Sequence, residues 1–444
     1  MSASDTIFAP ATGAGRAGIA VIRISGAKAR SALAAMTGRH TWVPRHATCV
    51  RLRTSEGVPL DHALGFWFPA PSSFTGEDVG ELHVHGGRAV SAAVLAALDG
   101  IDGLRPAEAG EFSRRAFQNG KFDLTQAEAL ADLVAAETAA QHRQALRQLD
   151  GELGRLYDGW RRQAIAAMAR LEAEIDFSDE DLPAALQIAV QGEVAALRLE
   201  IERHLADGQR GQRIRDGFAV VLIGPPNAGK SSLLNGLAGR EAAIVDAAPG
   251  TTRDVVEVTM DIAGLAVVIA DTAGLRQGKG RVEQEGVRRA RQRAAAADLR
   301  VVVLDGAVWP EVDDITLSML DDDALIVINK CDLGGLGDEL AVGDRPAMPV
   351  SALLGNGLGE LIGEIGKRLT ERFGDDAAPA PTRARHRRSL EACAAALARA
   401  ERPQASELMA EELRAAAAAL GRIVGRVDVE DVLDVVFREF CIGK

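Results

Sequence analysis

From Asp216-Gly217 to about Phe373, short apolar runs alternate with segments of helical period. Phe218–Ile223, Val255–Ile262, Leu265–Ala270, Arg300–Leu304, Ala324–Ile328 and Ala347–Val350 are predicted strands. Ser231–Ala238, Val282–Ala297 and Gly357–Arg372 are predicted helices between them. Alternation of this kind predicts a mostly parallel sheet with helices on both faces.

The flanks read differently. Before residue 120, Ile19–Ile24, Ala63–Phe68 and Val79–His85 have strand patterns with charges at strand positions, and Ala27–Met36 and Arg88–Leu98 have helix patterns. From Asp123 to about His204, Leu124, Ala127, Leu130, Leu133 and Val134 open a run of helical spacing, with expected breaks at Gly151, Gly154 and Asp176–Pro183. Gly374–Thr382 reads as a linker, and Ala/Leu-rich helical sequence follows to Arg438. The predicted fold class is therefore multidomain. It has an N-terminal α+β domain (residues 1–120), an all-α domain in two parts (121–215 and 376–444), and an α/β P-loop domain (216–375) inserted between those parts.

Composition changes this picture little. The 444 residues carry a net charge of −12, so nucleic acid or an anionic membrane would be met only by a local basic patch such as Arg383–Arg388. That patch reads equally as a solvated helix start. Cys49, Cys331, Cys393 and Cys441 lie far apart with no metal-ligand spacing, which fits a reducing compartment. Met1–Pro10 lacks a secretion-signal pattern, and no apolar run approaches the roughly 20 residues that span a bilayer. A cytoplasmic location without membrane contact is expected.

The chemistry concentrates at Gly224–Ser231, Gly-Pro-Pro-Asn-Ala-Gly-Lys-Ser, between a predicted strand and a predicted helix. A glycine-rich turn before an ordinary helix is the plain alternative. In the phosphate-loop reading, backbone N–H groups of Asn227, Ala228, Gly229, Lys230, Ser231 and Ser232 face phosphates, Lys230 reaches the outer phosphates and the Ser231 hydroxyl ligates magnesium. Asn329-Lys330-Cys331-Asp332 ends a predicted strand about 100 residues later. The Asp332 carboxylate matches guanine's ring N–H and amino group, which adenine cannot supply; Asn329 meets the other edge and the Lys330 stem covers the base. Asp271-Thr272-Ala273-Gly274 is placed for water-mediated magnesium contact and for the γ-phosphate. Gly250-Thr251-Thr252 supplies Thr252 to the magnesium shell, and Ser351-Ala352 faces the guanine edge. In this order these motifs describe a GTP-binding domain.

Leu275 stands where Ras-like proteins place a water-orienting glutamine, and leucine cannot orient water. Glu283, beyond a Gly/Arg-rich stretch, is the candidate to position the attacking water, although a surface helix glutamate fits as well. His83 and His85 share a strand face, but no third metal ligand is evident, and polar positions beside a cleft are the preferred reading.

The phosphate loop with its Ser-Leu-Leu-Asn continuation, Gly250–Asp254, Asp271–Arg276 and the terminal Cys441-Ile442-Gly443-Lys444 resemble the MnmE (TrmE) family of tRNA modification GTPases. Asp5–Ile7, Arg23–Gly26, Phe74–Asp78 and Arg115–Lys121 also fit, so the resemblance covers essentially the whole chain. It implies an N-terminal domain that binds 5-formyl-tetrahydrofolate or a related folate and forms a homodimer. By motif position, Arg23, Glu81, Lys121 and Lys444 would lie at the folate. It implies a partnership with the FAD-dependent protein MnmG and action on carbon 5 of the wobble uridine of certain tRNAs. It also implies that GTPase domains close face to face around potassium, with Asn227 as a ligand. The segment Asp246, Ala247, Ala248, Pro249, Gly250 and Thr251 would complete that cation site, with Asp246, Ala248 and Thr251 as contributors. Aspartate at 246 departs from the threonine or serine expected there. Cys441 is a candidate thiol participant or, equally, a buried tail anchor. An Era- or Der-like ribosome-assembly GTPase would predict a second GTPase domain or a C-terminal RNA-binding domain, and neither is evident. A folate-binding scaffold with GTP as a shape switch is the other rival.

Overall fold

The computed structural model describes residues 5–176, 185–240, 243–244, 257–271, 292, 295–318, 320, 322–337, 340–374, 379–402, 405–427, 433, 436–437, 440 and 443. The chain divides into two compact units, Met1–Ala131 with Leu149–Glu172 and Ala410–Lys444, and Asp132–Gln148 with Ala173–Met409.

The first unit holds a six-stranded sheet of β1 (Thr6–Pro10), β2 (Ala17–Ser25), β3 (Thr48–Arg53), β4 (Pro59–Phe68), β5 (Val79–Gly86) and β6 (Leu104–Pro106). The order is β3-β4-β5-β2-β1-β6, antiparallel except where β1 meets β6. Alternation along β2 sends Ile22 and Ile24 to a core shared with α1 (Ala29–Thr37) and α2 (Arg88–Asp99), where Leu33, Met36, Val94 and Leu98 are buried. Arg23, between the two isoleucines, therefore stands on the other face.

β1, β3, β6 and α3 (Glu111–Gln118) are short and lie outside the predicted elements. In α3 the buried residues include Glu111 and Arg115, so the helix hides charge where a pattern search looks for apolar side chains. Helices α4 (Leu124–Ala135), α5 (Ala139–Leu149) and α6 (Glu152–Asp176) follow. The expected break at Gly154 is corrected, because this residue lies inside α6. It is glycine for close packing, since a Cβ would collide with the Asp123 carboxylate. Along α6, Leu153, Tyr157, Trp160, Ala164, Ala167 and Leu171 are buried at steps of four and three. The C-terminal helix Ser406–Val424 buries Leu413, Ala416, Leu420 and Ile423, and its Arg414 meets Glu172 at 2.9 Å.

The second unit is built on an eight-stranded sheet: β7 (Phe218–Ile223), β8 (Ala243–Ile244), β9 (Glu257–Ile262), β10 (Leu265–Asp271), β11 (Leu299–Asp305), β12 (Leu325–Asn329), β13 (Ala341–Val342) and β14 (Arg345–Pro349). Its order is β13-β14-β12-β11-β7-β10-β9-β8. The run from β14 to β10 is parallel, and β13, β9 and β8 join antiparallel at the margins. One face of the sheet packs on α8 (Lys230–Ala238) and α9 (Leu358–Phe373) through Leu233, Leu237, Leu361 and Ile365. Opposite, Ile223, Val302 and Ile328 meet Ala297, Trp309 and Val312. Of the predicted helix Val282–Ala297, only residues 292 and 295–297 are described.

α7 (Ala185–Asp216) leads into β7 and buries Val190, Val194, Leu197 and Ile201. It packs with α10 (Ala384–Ala400), where Leu390, Cys393 and Leu397 are buried and Arg198 pairs with Glu401 at 2.5 Å. At the Arg383–Arg388 stretch, Arg383 is 9% exposed and bonded to Asp132 at 2.8 Å, and His386 is fully buried. Arg387 pairs with Glu391. The stretch opens α10, and the solvated start expected there is corrected at Arg383 and His386, which are buried.

Candidate nucleotide site

The phosphate loop takes its shape from residues that tolerate unusual backbone. Gly224 has φ 145°, and a Cβ there would run into the carbonyl of Val303 on β11. Asn227 adopts φ 65°, a left-handed conformation that asparagine accepts better than most residues. Gly229, at φ 89°, caps α8, so the helix N-terminus opens on the loop and its orphan N–H groups face the anion position. Lys230 is 5% exposed, with Nζ donating to the carbonyls of Gly224 at 3.0 Å and Pro225 at 2.7 Å. Ser231 Oγ donates to Asp271 Oδ2. Asp271 ends β10 and is 3% exposed, so hydroxyl and carboxylate oxygen converge beside the loop. A hard divalent cation is held by such oxygens, and the pair fits magnesium.

The base side is assembled from loops at the strand ends. Asn329 is 2% exposed; its Nδ2 donates to Ala228 O at 2.9 Å and its Oδ1 accepts from Ala352 N at 3.0 Å. Asn329, expected at a guanine edge, thus ties the phosphate loop to the Ser351-Ala352 loop. The hydroxyl of Ser351, fully buried, donates to Asp332 Oδ1 at 2.6 Å and accepts from Leu354 N at 3.1 Å, so it orients the carboxylate. Lys330, in the left-handed region at φ 66°, reaches Asp305 Oδ2 at 2.6 Å. Burial raises the Cys331 thiol pKa, with Asp332 adding to it.

Residues 246–252, Thr272, Ala273, Gly274, Leu275, Glu283, Cys441 and Lys444 lie outside the described residues, so the cation segment, the water-positioning candidate and the tail thiol are seen only in the sequence. Asp305 was missed by sequence reasoning. Only the strand register of the folded sheet, which sets it beside Asn329, reveals it.

In the first unit, Arg23 Nε donates to Glu81 Oε1 at 2.8 Å, and both side chains are largely buried. The Arg23 guanidinium lies 4.9 Å from the Phe74 ring centroid and 5.9 Å from that of Phe112. Phe74 meets Phe122 at 6.3 Å, and the neighbouring Lys121 donates to Pro71 O at 2.9 Å. At the C-terminus, Gly443 lies against Pro10 so closely that a Cβ would strike its carbonyl, and Ala9 faces Arg23 across the strands. Of the four residues expected at the folate, the structure thus joins Arg23 and Glu81 beside the Phe74 and Phe112 rings. His83 lies 3.5 Å from Glu81, and His85 contacts Asp61 at 2.7 Å. Among the described residues there is no cluster of three metal-ligating groups.

A mostly parallel sheet carrying a strand–loop–helix phosphate cradle, with the Asp332 carboxylate held by Ser351 beyond a neighbouring strand end, defines the class: a P-loop GTPase. The family model for the MnmE helical domain matches residues 124–441, and that for the GTP-binding protein TrmE N-terminus matches residues 6–121. The tRNA modification GTPase MnmE of Paramagnetospirillum magneticum is 56% identical over 441 residues, covering 99% of this chain and 100% of that protein. The protein of the same name from Parvibaculum lavamentivorans is 55% identical over 445 residues, covering 99% and 100%. The chain belongs to the MnmE family of tRNA modification GTPases. No helix among the described residues is long and apolar enough to cross a membrane.

Proposed function

We propose that this protein hydrolyses GTP to drive modification of carbon 5 of the wobble uridine in certain tRNAs. It would act as a homodimer with an FAD-dependent MnmG partner and use a carbon from 5-formyl-tetrahydrofolate. The observation that carries the reading is that one chain, alike to tRNA modification GTPases over 99% of its length, holds both a phosphate-loop nucleotide cradle and an Arg23–Glu81 pair set against aromatic rings.

In this reading Arg23, Lys121 and Lys444 meet the folate's anionic groups, Glu81 its polar ring edge, and Phe74 offers a stacking face. In the nucleotide site the loop amides and Lys230 bind phosphate, while Ser231 and Thr252 hold magnesium, with Asp271 next to Ser231 Oγ. The bound metal offsets phosphate charge. Asn227, with Asp246, Ala248 and Thr251, is assigned to potassium, and a monovalent cation there serves as an arginine finger does elsewhere. Glu283 positions water, since Leu275 cannot.

Mass spectrometry of tRNA from cells lacking the gene tests this directly. Loss of the wobble-uridine modification is expected, and unaltered wobble uridines would overturn the proposal. Hydrolysis should also be much faster in potassium than in sodium; equal rates would remove the role given to Asn227.

A further inference from the structure

We propose that Asp305 is a positioning residue for the guanine nucleotide, acting by fixing the Lys330 side chain along the base side of the pocket. The inference rests on the reading of Lys330 as lining the base.

Asp305 closes β11, directly beside Asn329 in the parallel register with β12. Both of its carboxylate oxygens are committed: Oδ2 accepts from Lys330 Nζ at 2.6 Å and Oδ1 from Ala307 N at 3.0 Å. Burial alone would raise its pKa, but the Lys330 hydrogen bond and the Ala307 amide outweigh burial and leave it lowered. The carboxylate is thus a fixed anion.

Lys330 is held at its other end as well. Its left-handed backbone is clamped between Gly306 N donating to Asn329 O at 2.8 Å and Cys331 N donating to Val350 O at 3.0 Å. Gly306 has no room for a Cβ, which would approach Asn329 O at 2.6 Å. With Cα and ammonium both pinned, the four-carbon stem between them has little freedom left. An unanchored lysine would lose rotamer entropy each time a base stacked on it, and Asp305 removes most of that cost beforehand. The stem packs on any purine face, so Asp305 governs how long a nucleotide stays. The choice of guanine belongs to Asp332.

The test uses the full-length protein and a fluorescent GDP analogue. Asp305→Asn should speed nucleotide dissociation and raise the KM for GTP by about two- to fivefold, the upper range of a partly exposed ion pair. The loss should fall on KM rather than kcat, and the ratio of GTP to ATP affinity should not move. Lys330→Met, which keeps the stem but not the charge, should match it, and Asp305→Asn with Lys330→Met should be no worse than either alone. Asp305→Glu should recover part of the loss. Wild-type dissociation in Asp305→Asn or Lys330→Met, or losses that add in the double variant, would overturn the proposal. Lys330→Ala without effect on nucleotide affinity would instead overturn the base-lining reading. Because Lys330→Met leaves the carboxylate in place, the proposal stays testable if Asp305→Asn fails to fold.

Discussion

The Asn329 side chain donates to the carbonyl of Ala228 at 2.9 Å, and the space between it and the next residue, Gly229, is too small for a Cβ. The base-recognition strand and the phosphate loop are thereby one rigid piece. Gly229→Ala forces two changes: an alanine at φ 89°, and displacement of the Asn329 amide. Backbone strain of this kind costs about 1–3 kcal/mol. We expect GDP affinity to fall at least about tenfold, corresponding to 1.4 kcal/mol or more. A fluorescent-nucleotide titration checks this, and wild-type affinity would show that the two motifs are not mechanically joined.

Ser351 fixes Asp332 by a 2.6 Å hydrogen bond, so the carboxylate is aimed before any base arrives. Asp332→Asn should exchange guanine for xanthine, whose ring carbonyl accepts a hydrogen bond where guanine's amino group donates one. Two charge-assisted bonds at about 1.5–3 kcal/mol each predict a GTP affinity loss of roughly 10²- to 10⁴-fold. Hydrolysis assays with GTP and xanthosine triphosphate measure the switch. Retained GTP preference would mean that Asp332 does not read the base.

Long apolar runs made the sheet of the second unit legible, because β7, β10, β11 and β12 are buried strands with almost no polar interruption. Motif spacing located Lys230, Ser231, Asp271 and Asp332. The braces were not legible: Asn329 to Ala228, Ser351 to Asp332 and Lys330 to Asp305 join residues 101, 19 and 25 positions apart. Only the folded sheet brings those partners together. α3 was hidden for another reason. It is only eight residues long, and it buries Glu111 and Arg115, whose ion pair offsets their desolvation and puts charge on the buried face.

His204 on α7 is 8% exposed, and burial lowers its pKa to about 4 from the usual 6.5, with His386 adding to the effect and Asp207 opposing it. The fold therefore prefers the neutral ring. Between pH 6.5 and 4 the unfolded chain binds the proton and the folded one does not, so stability is full above that window and falls as pH drops through it. The contribution at stake is about 3 kcal/mol. His204→Leu should flatten this part of the profile without lowering stability at pH 5. Thermal unfolding at pH 7.5 and pH 5 for both proteins tests it, and parallel pH profiles would rule His204 out.

Glu111 is 5% exposed and bonded to Arg105 at 2.6 and 2.9 Å, to Arg115 at 2.9 Å and to the amide of Glu108 at 3.0 Å. Burial would raise its pKa, but Arg105, the Glu108 amide and Arg115 together hold the carboxyl below its usual value. Its contribution is present above the unfolded-state pKa and is lost as pH falls through the depressed folded-state value. Arg115 continues the network to Glu77 at 3.1 Å, and Glu77 accepts from Ser25 at 2.7 Å, two residues from Arg23. Phe112, next to Glu111, flanks the Arg23 guanidinium. Removing the carboxylate leaves Arg115 with Glu77 and Arg105 with Asp5, so the loss should be about 1–3 kcal/mol, below that of a buried charge left wholly unpaired. Glu111→Ala should therefore lower the stability of the first unit and weaken 5-formyl-tetrahydrofolate binding, whereas Glu111→Gln, which keeps an acceptor oxygen, should lose less of both. Nucleotide affinity should be unchanged in either variant, since neither touches the phosphate loop. Calorimetric titration with the folate and with GDP separates these effects, and a folate affinity equal to wild type in Glu111→Ala would show that the buried network does not position Arg23.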